Sequence, residues 1–214
     1  MNKIACIVGG VEQSEYVFPA GAYVIAADKG YAYLKKRGIA ANLVIGDFDS
    51  LGFVPEEENT LRYPVEKDDT DTMLAVREGL DREYRLFLLY GCVGGTRLAH
   101  TLANLQALAF IAEHGAHGFM FDGDCVITAI QNSKMMFDAH ESGYISVFCM
   151  GEDAQGVDIK GLKYQVTNCT LSSKMPLGVS NEFVGKASFV SVKKGTLYVL
   201  WHKDTKQLLQ DLSR

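Results

Sequence analysis

The sequence predicts an α/β protein in two parts. A doubly wound, mostly parallel sheet is expected over residues 1–123, and a small antiparallel β-sandwich over residues 124–214. Three observations carry that prediction. In the first part, short continuous apolar runs alternate with longer stretches at helical spacing. Each of those runs ends in Gly or Asp. After about residue 123 the runs begin to alternate polar with apolar residues, and glycines punctuate them at 143, 151, 156, 161, 178, 185 and 195.

Taken in order, Ile4–Val8 leads into Gly9-Gly10, Tyr23–Ala27 into Asp28, and Leu43–Ile45 into Gly46-Asp47. Arg85–Tyr90 leads into Gly91, and Gly118–Phe121 into Asp122. Runs that are apolar at successive positions suit a parallel sheet covered on both faces. Helices are expected at about 30–37, 70–80 and 96–114. The last of these reads as burying a face made of Leu98, Leu102, Leu105, Ala109 and Ala112. Strand–helix repetition of this kind builds a Rossmann-like layer. In the second part, strands are expected at 144–148, 164–167, 187–192 and 197–201. Lys193-Lys194-Gly195-Thr196 reads as a hairpin turn between the last two. No repeat and no Pro- or Ser-rich linker separates the parts.

Composition narrows the function. The chain has 214 residues, 48% of them apolar and 22% charged, which is the profile of a folded globular protein. Its formal charge of −5 argues against a broadly basic nucleic-acid surface. No apolar stretch reaches the ~18–20 residues of a membrane span. The run Ile4–Val8 is shorter than the apolar core of about 7–15 residues in a secretory signal. Five widely spread cysteines without a C-x-x-C pair argue against zinc and disulfide frameworks. A cytoplasmic protein with reduced thiols is expected.

The charge is unevenly spread. Residues 28–71 hold six Asp and four Glu against six Lys and Arg, so −4 of the −5 lies in one fifth of the chain. Gly46-Asp47-Phe48-Asp49-Ser50 follows a strand directly. Were that segment extended, Asp47 and Asp49 would face one side. Two carboxylates so placed repel unless a cation lies between them, and Mg²⁺, which binds carboxylates together with substrate phosphates, is the natural candidate. Lys67-Asp68-Asp69-Thr70-Asp71 opens the next helix. A cap accounts for one or two of those residues, but not for three carboxylates near a second acidic strand end.

Gly91-Cys92-Val93-Gly94-Gly95-Thr96-Arg97 joins a strand to the longest helix. Gly94, Gly95 and Thr96 can bring backbone amides close to a phosphate, and Arg97 adds a forked cationic donor. Arg97, His100 and Asn104 form a polar stripe at helical spacing, with His100 a candidate on the phosphate side.

Together, A-A-D-K-G at 26–30, G-D-F-D-S at 46–50, K-D-D-T-D at 67–71, G-C-V-G-G-T-R-L-A-H-T-L-A-N at 91–104 and S-N-E-F at 180–183 resemble the thiamine pyrophosphokinase family. The order and spacing agree along essentially the whole chain. The resemblance implies a nucleotide-binding α/β domain followed by a thiamine-binding β domain, in a homodimer with active sites between subunits. It implies Mg²⁺-dependent transfer of a pyrophosphoryl group from ATP to thiamine, releasing AMP. It implies Asp47, Asp49 and Asp71 as metal and phosphate-site carboxylates, with Asp28 and Gly30 near the substrates. Asp69 and Thr70 fall on the nucleotide side, Arg97 on the phosphates, and Ser180 and Asn181 in the thiamine pocket. Trp201 falls where an aromatic ring stacks on thiamine, and an indole face suits a flat cation. Asp28 and Asp71 are the candidates for accepting the alcohol proton.

One position departs from the pattern. The family reads R-x-D-H where this chain reads Arg97-Leu98-Ala99-His100. Ala99 brings no carboxylate, which keeps open a catalytically impaired thiamine- or nucleotide-binding module. The strand-terminal Asp47-Phe48-Asp49 also fits a haloacid-dehalogenase-like phosphatase, although Leu51 and the weak downstream acids Asp122 and Asp124 fit that family poorly.

Overall fold

The computed structural model describes residues 3–212. The chain divides into two compact units, one of residues up to Gly123 joined by those from Leu209, the other Asp124–Leu208.

In the first unit, β1 (Ile4–Val8), β2 (Tyr23–Ala27), β3 (Leu43–Gly46), β4 (Thr60–Arg62), β5 (Leu86–Tyr90) and β6 (His117–Asp122) lie in the order β6-β5-β1-β2-β3-β4. Every one of these pairings is parallel. Helices α1 (Gly30–Lys36), α2 (Asp71–Asp81) and α3 (Leu98–Glu113) connect them. The apolar runs behave as a sheet covered on both faces should, and all five residues of β5 are buried. From β1 the chain winds outward through β2, β3 and β4, then returns to place β5 on the other side of β1. That reversal opens a crevice beyond the carboxyl ends of β1 and β5, where ligands bind in sheets of this kind. β4 is too short and too polar to show in the sequence pattern.

α3 turns a different face inward than its leucine spacing predicts. Leu98 and Leu102 are 70% and 51% exposed, whereas Asn104, Ala107, Leu108 and Ile111 are buried. The helix is apolar almost all round, so periodicity cannot select the buried side. Gly118 in β6 helps select it, because Leu108 and Ile111 lie where its Cβ would be.

The second unit holds two antiparallel sheets. β7 (Cys125–Gln131), β9 (Tyr144–Phe148), β12 (Gly178–Glu182) and β14 (Thr196–His202) lie in the order β12-β9-β14-β7. β8 (Lys134–Phe137), β10 (Ala154–Lys160), β11 (Val166–Leu171) and β13 (Ser188–Ser191) lie in the order β11-β10-β13-β8. The expected hairpin at 193–196 is instead a corner, because β13 and β14 belong to different sheets. The Lys193 and Lys194 amides donate to the Gln155 carbonyl, and Gly195 donates to Asn132 Oδ1, which holds the corner against neighbouring strands. Helix α4 (Thr205–Leu212) ends the described chain. No helix among the described residues is long and apolar enough to cross a membrane.

Candidate active site

A cavity of about 590 Å³ opens at the crevice of the first unit, within the size range of small-molecule and cofactor sites. Strand ends supply much of the wall: Gly10 and Val11 after β1, Asp28 after β2, Asp47 and Asp49 after β3, and the glycine loop after β5; the starts of α2 and α3 add to it.

Asp28, Asp47 and Asp71 converge there, each offering an oxygen within 4.8 Å of the others. Asp28 reaches its place through a left-handed backbone, φ 48°, a conformation that Asp tolerates better than most residues. Its amide donates to the Ile45 carbonyl at 2.9 Å, and its Oδ2 accepts the Ser50 hydroxyl. Asp28 Oδ1 is buried and has no hydrogen-bond partner among the described residues. A buried carboxylate oxygen left so is costly unless something else satisfies it, and a cation does. By that test the three residues fit a hard divalent ion such as Mg²⁺.

Lys67 sits among them. Its ammonium pairs with Asp47 Oδ2 and lies 2.9 Å from Asp71 Oδ1. Burial pushes Asp47 upward, but the Lys67 ammonium and the Asp49 amide outweigh it and hold the carboxyl below its ordinary range. Asp71 is pushed above its ordinary range by burial, helped by the charges of Asp47 and Asp28 and opposed by Lys67. Burial acts to lower the Lys67 ammonium, yet its two carboxylate partners raise it overall.

Asp49 does not join this cluster. Phe48 adopts φ 64° and buries its ring, so the segment is a turn rather than extended strand. Asp49 folds back and its amide donates to Asp47 Oδ1 at 3.1 Å. Asp47 and Asp49 both line the cavity, but the three oxygens that meet belong to Asp28, Asp47 and Asp71.

The other expected residues divide by what holds them. The Thr70 hydroxyl caps α2 by accepting the Met73 amide, and Asp69 pairs with Arg77 at 2.7 Å, although both line the cavity. Gly30 does not line it. A Cβ there would lie 1.9 Å from the Val8 carbonyl oxygen, so Gly30 lets α1 begin against the end of β1. Gly94 and Gly95, both at positive φ, form the opposite wall with Thr96, Arg97 and His100. Arg97 is exposed and has no ion-pair partner among the described residues, which leaves its guanidinium available to an anion. Ala99 is exposed on the first turn of α3 and does not line the cavity.

Sequence reasoning missed Lys67 as a member of the site, though its spacing of four from Asp71 was a usable signal. It also missed Ser50 and Thr101. Asn104, read only as part of a polar stripe, is buried and donates from Nδ2 to the Cys92 carbonyl at 2.7 Å.

In the second unit, Trp201 is 2% exposed and packs edge-on to Phe137, ring centroids 5.6 Å apart. It is a core residue, with no open face for stacking, because the inward alternation of β14 takes it between the two sheets. Asn181 is buried and its amide clamps Tyr164, accepting from the Tyr164 amide and donating to its carbonyl. Ser180 is exposed in β12.

A parallel sheet whose acidic strand ends face a glycine loop across one cavity defines an α/β protein, followed by an antiparallel β unit. Residues 15–119 match the family model for the thiamin pyrophosphokinase catalytic domain, and residues 131–197 that for the thiamin pyrophosphokinase vitamin B1 binding domain. The chain belongs to the thiamin pyrophosphokinase family. It is 28% identical over 189 residues to the thiamine pyrophosphokinase of Bacillus subtilis (strain 168), covering 84% of this chain and 87% of that one. Its fold is similar to the crystal structure of thiamine pyrophosphokinase from Bacillus subtilis, with a TM-score of 0.80 and 26% identity over 94% of this chain and 100% of that one. The thiamin pyrophosphokinase from Geobacillus thermodenitrificans gives a TM-score of 0.77 at 26% identity, covering 94% and 98%.

Proposed function

We propose that this protein transfers a pyrophosphoryl group from ATP to thiamine, giving thiamine diphosphate and AMP, with Mg²⁺ held by Asp28, Asp47 and Asp71. The observation that carries this reading is the meeting of those three carboxylates with the Gly94–Arg97 loop across one cavity. ATP brings about four negative charges to a site already acidic, so a divalent ion is needed to reverse the local sign. When bound, that ion supplies charge neutralisation at the phosphates.

The chain's own residues do the rest. The backbone amides of Gly95 and Thr96 receive phosphate oxygens at the start of α3, and Arg97 adds a forked charged donor. The thiamine hydroxyl oxygen bonds to the β-phosphorus as the bond to the α-phosphate oxygen breaks; AMP leaves, and the hydroxyl proton passes to a carboxylate, Asp28 or Asp71. Catalysis of this kind rests on alignment and electrostatics rather than covalent chemistry.

For thiamine we assign the second unit, around Ser180. Tyr144 pairs with Glu182 of β12 and the Tyr164 amide is bound by Asn181; their rings, 59% and 60% exposed, support this assignment as surfaces for a flat cation in place of Trp201. We also infer a homodimer, supported by the exposed Leu98 and Leu102 on α3, and a reducing cytoplasmic setting, supported by five free cysteines. Size-exclusion chromatography with light scattering checks the dimer.

Incubation with ATP, Mg²⁺ and thiamine tests the reaction. Formation of AMP with thiamine diphosphate is expected. Release of inorganic phosphate alone, or binding without turnover, would overturn it.

A further inference from the structure

Lys67 reaches into the carboxylate cluster from the segment preceding α2. Its side chain is 12% exposed and pairs with Asp47, 11% exposed, and with Asp71, 21% exposed. These are two of the three carboxylates whose oxygens converge within 4.8 Å. The third, Asp28, is held by the Ser50 hydroxyl and keeps Oδ1 without a partner. The ammonium thus engages carboxylate oxygens that a divalent ion would also need.

We propose that Lys67 is the resident counter-ion of the cation seat. It holds Asp47 and Asp71 together before the ion arrives and competes with the ion for both. The inference rests on reading this cluster as the divalent-ion seat. Three neighbouring carboxylates without compensation repel one another, so an internal ammonium keeps the site assembled. A lysine suits the task because it is a compact charge on a flexible stem. Lys67 also lines the substrate cavity, so an ammonium displaced by the ion remains beside the space for phosphates. Nucleotide phosphates then receive the displaced charge, and the ion binds more tightly with nucleotide than alone. By linkage the nucleotide gains the same factor.

The test titrates MgCl₂ alone into protein stripped with EDTA, by calorimetry, for the wild type, Lys67→Met and Lys67→Gln. Both variants should bind Mg²⁺ on the order of tenfold more tightly than the wild type, because the competitor is gone. Their metal-free melting temperatures should fall and be restored by Mg²⁺. A second measurement uses the wild type only: acylation of the Lys67 amine, followed by mass spectrometry, should accelerate when Mg²⁺ is added. Equal or weaker Mg²⁺ binding by the variants, or an acylation rate indifferent to Mg²⁺, overturns the counter-ion role while leaving the seat intact. Absence of Mg²⁺ binding in wild type and variants alike overturns the seat and the inference with it.

Discussion

The Thr101 hydroxyl of α3 accepts the Gly94 amide at 3.1 Å, so the helix fastens the glycine loop that leads into it. Removing the acceptor while keeping the shape should loosen the loop without unfolding the sheet. A single hydrogen bond is worth about 0.5–1.5 kcal/mol. Thr101→Val should therefore raise KM for ATP about two- to tenfold with a smaller change in kcat. Thr101→Ser should recover the wild-type value. Steady-state kinetics with ATP varied checks both, and an unchanged KM in Thr101→Val would show that the loop holds itself.

Trp201 provides a sharper contrast, since stacking on thiamine and burial in the core predict opposite results. As the only tryptophan in the chain it reports alone in fluorescence. Its burial against Phe137 means that saturating thiamine should leave its emission intensity nearly unchanged. Trp201→Ala should cost about 3–5 kcal/mol of stability, measured by denaturant unfolding. Trp201→Phe should keep the wild-type KM for thiamine. Strong quenching by thiamine would return the ring to the ligand.

These two cases show what the sequence could and could not disclose. The strand ends were legible because each parallel strand is a closed apolar run, and Asp28, Asp47 and Gly91 simply follow where the runs stop. The turn between Asp47 and Asp49 was not legible, because it depends on Phe48 adopting a left-handed backbone and burying its ring. The inward face of α3 was hidden for the opposite reason: apolar residues lie on nearly every side, and only contacts such as those around Gly118 choose among them. Gly30 and Asn181 kept their places in the motifs, but tertiary contacts set what they do. One is a point of close packing and the other a backbone clamp.

The thiols give a prediction in pH. Burial pushes Cys6 and Cys92 from 9.0 up to about 12. A group with a raised folded value leaves stability unaffected below the unfolded value and erodes it above, because the unfolded chain loses its proton first. Stability should therefore be flat below about pH 9 with respect to these thiols and decline as pH rises toward 12. Chemical denaturation at several alkaline pH values checks the sign. At pH 8 a thiol reagent should modify Cys125 and Cys169, which are half-buried, well before the buried Cys6, Cys92 and Cys149. Early modification of Cys92 would contradict the packing of the glycine loop.

Arg97 should separate activity from stability. The residue is exposed and lines the cavity. Arg97→Ala should lower kcat/KM on the order of 10²–10³-fold, the usual effect of losing one donor to developing charge. Its unfolding free energy should stay within about 0.5 kcal/mol of wild type. Arg97→Lys should recover only part of the loss, since an ammonium cannot grip a phosphate with two parallel bonds. A large stability change in Arg97→Ala would recast the residue as structural.

Ala99 tests whether the missing family carboxylate matters. It lies in the first turn of α3, which contains no acidic residue, and its side chain does not line the cavity. An aspartate there faces the positive end of the helix dipole, worth about 0.3–1 kcal/mol. Ala99→Asp should therefore raise the melting temperature by about 1–4 °C. Within one chain the new carboxylate lies off the cavity wall, so turnover should change less than the threefold or so that about 0.6 kcal/mol represents. Calorimetry and the AMP-forming assay, run on the same preparation, separate the two effects. A gain in turnover of tenfold or more, with an unchanged melting temperature, would place position 99 against substrate. The exposed Leu98 beside it would then point to a second copy of the chain as what carries that substrate to it.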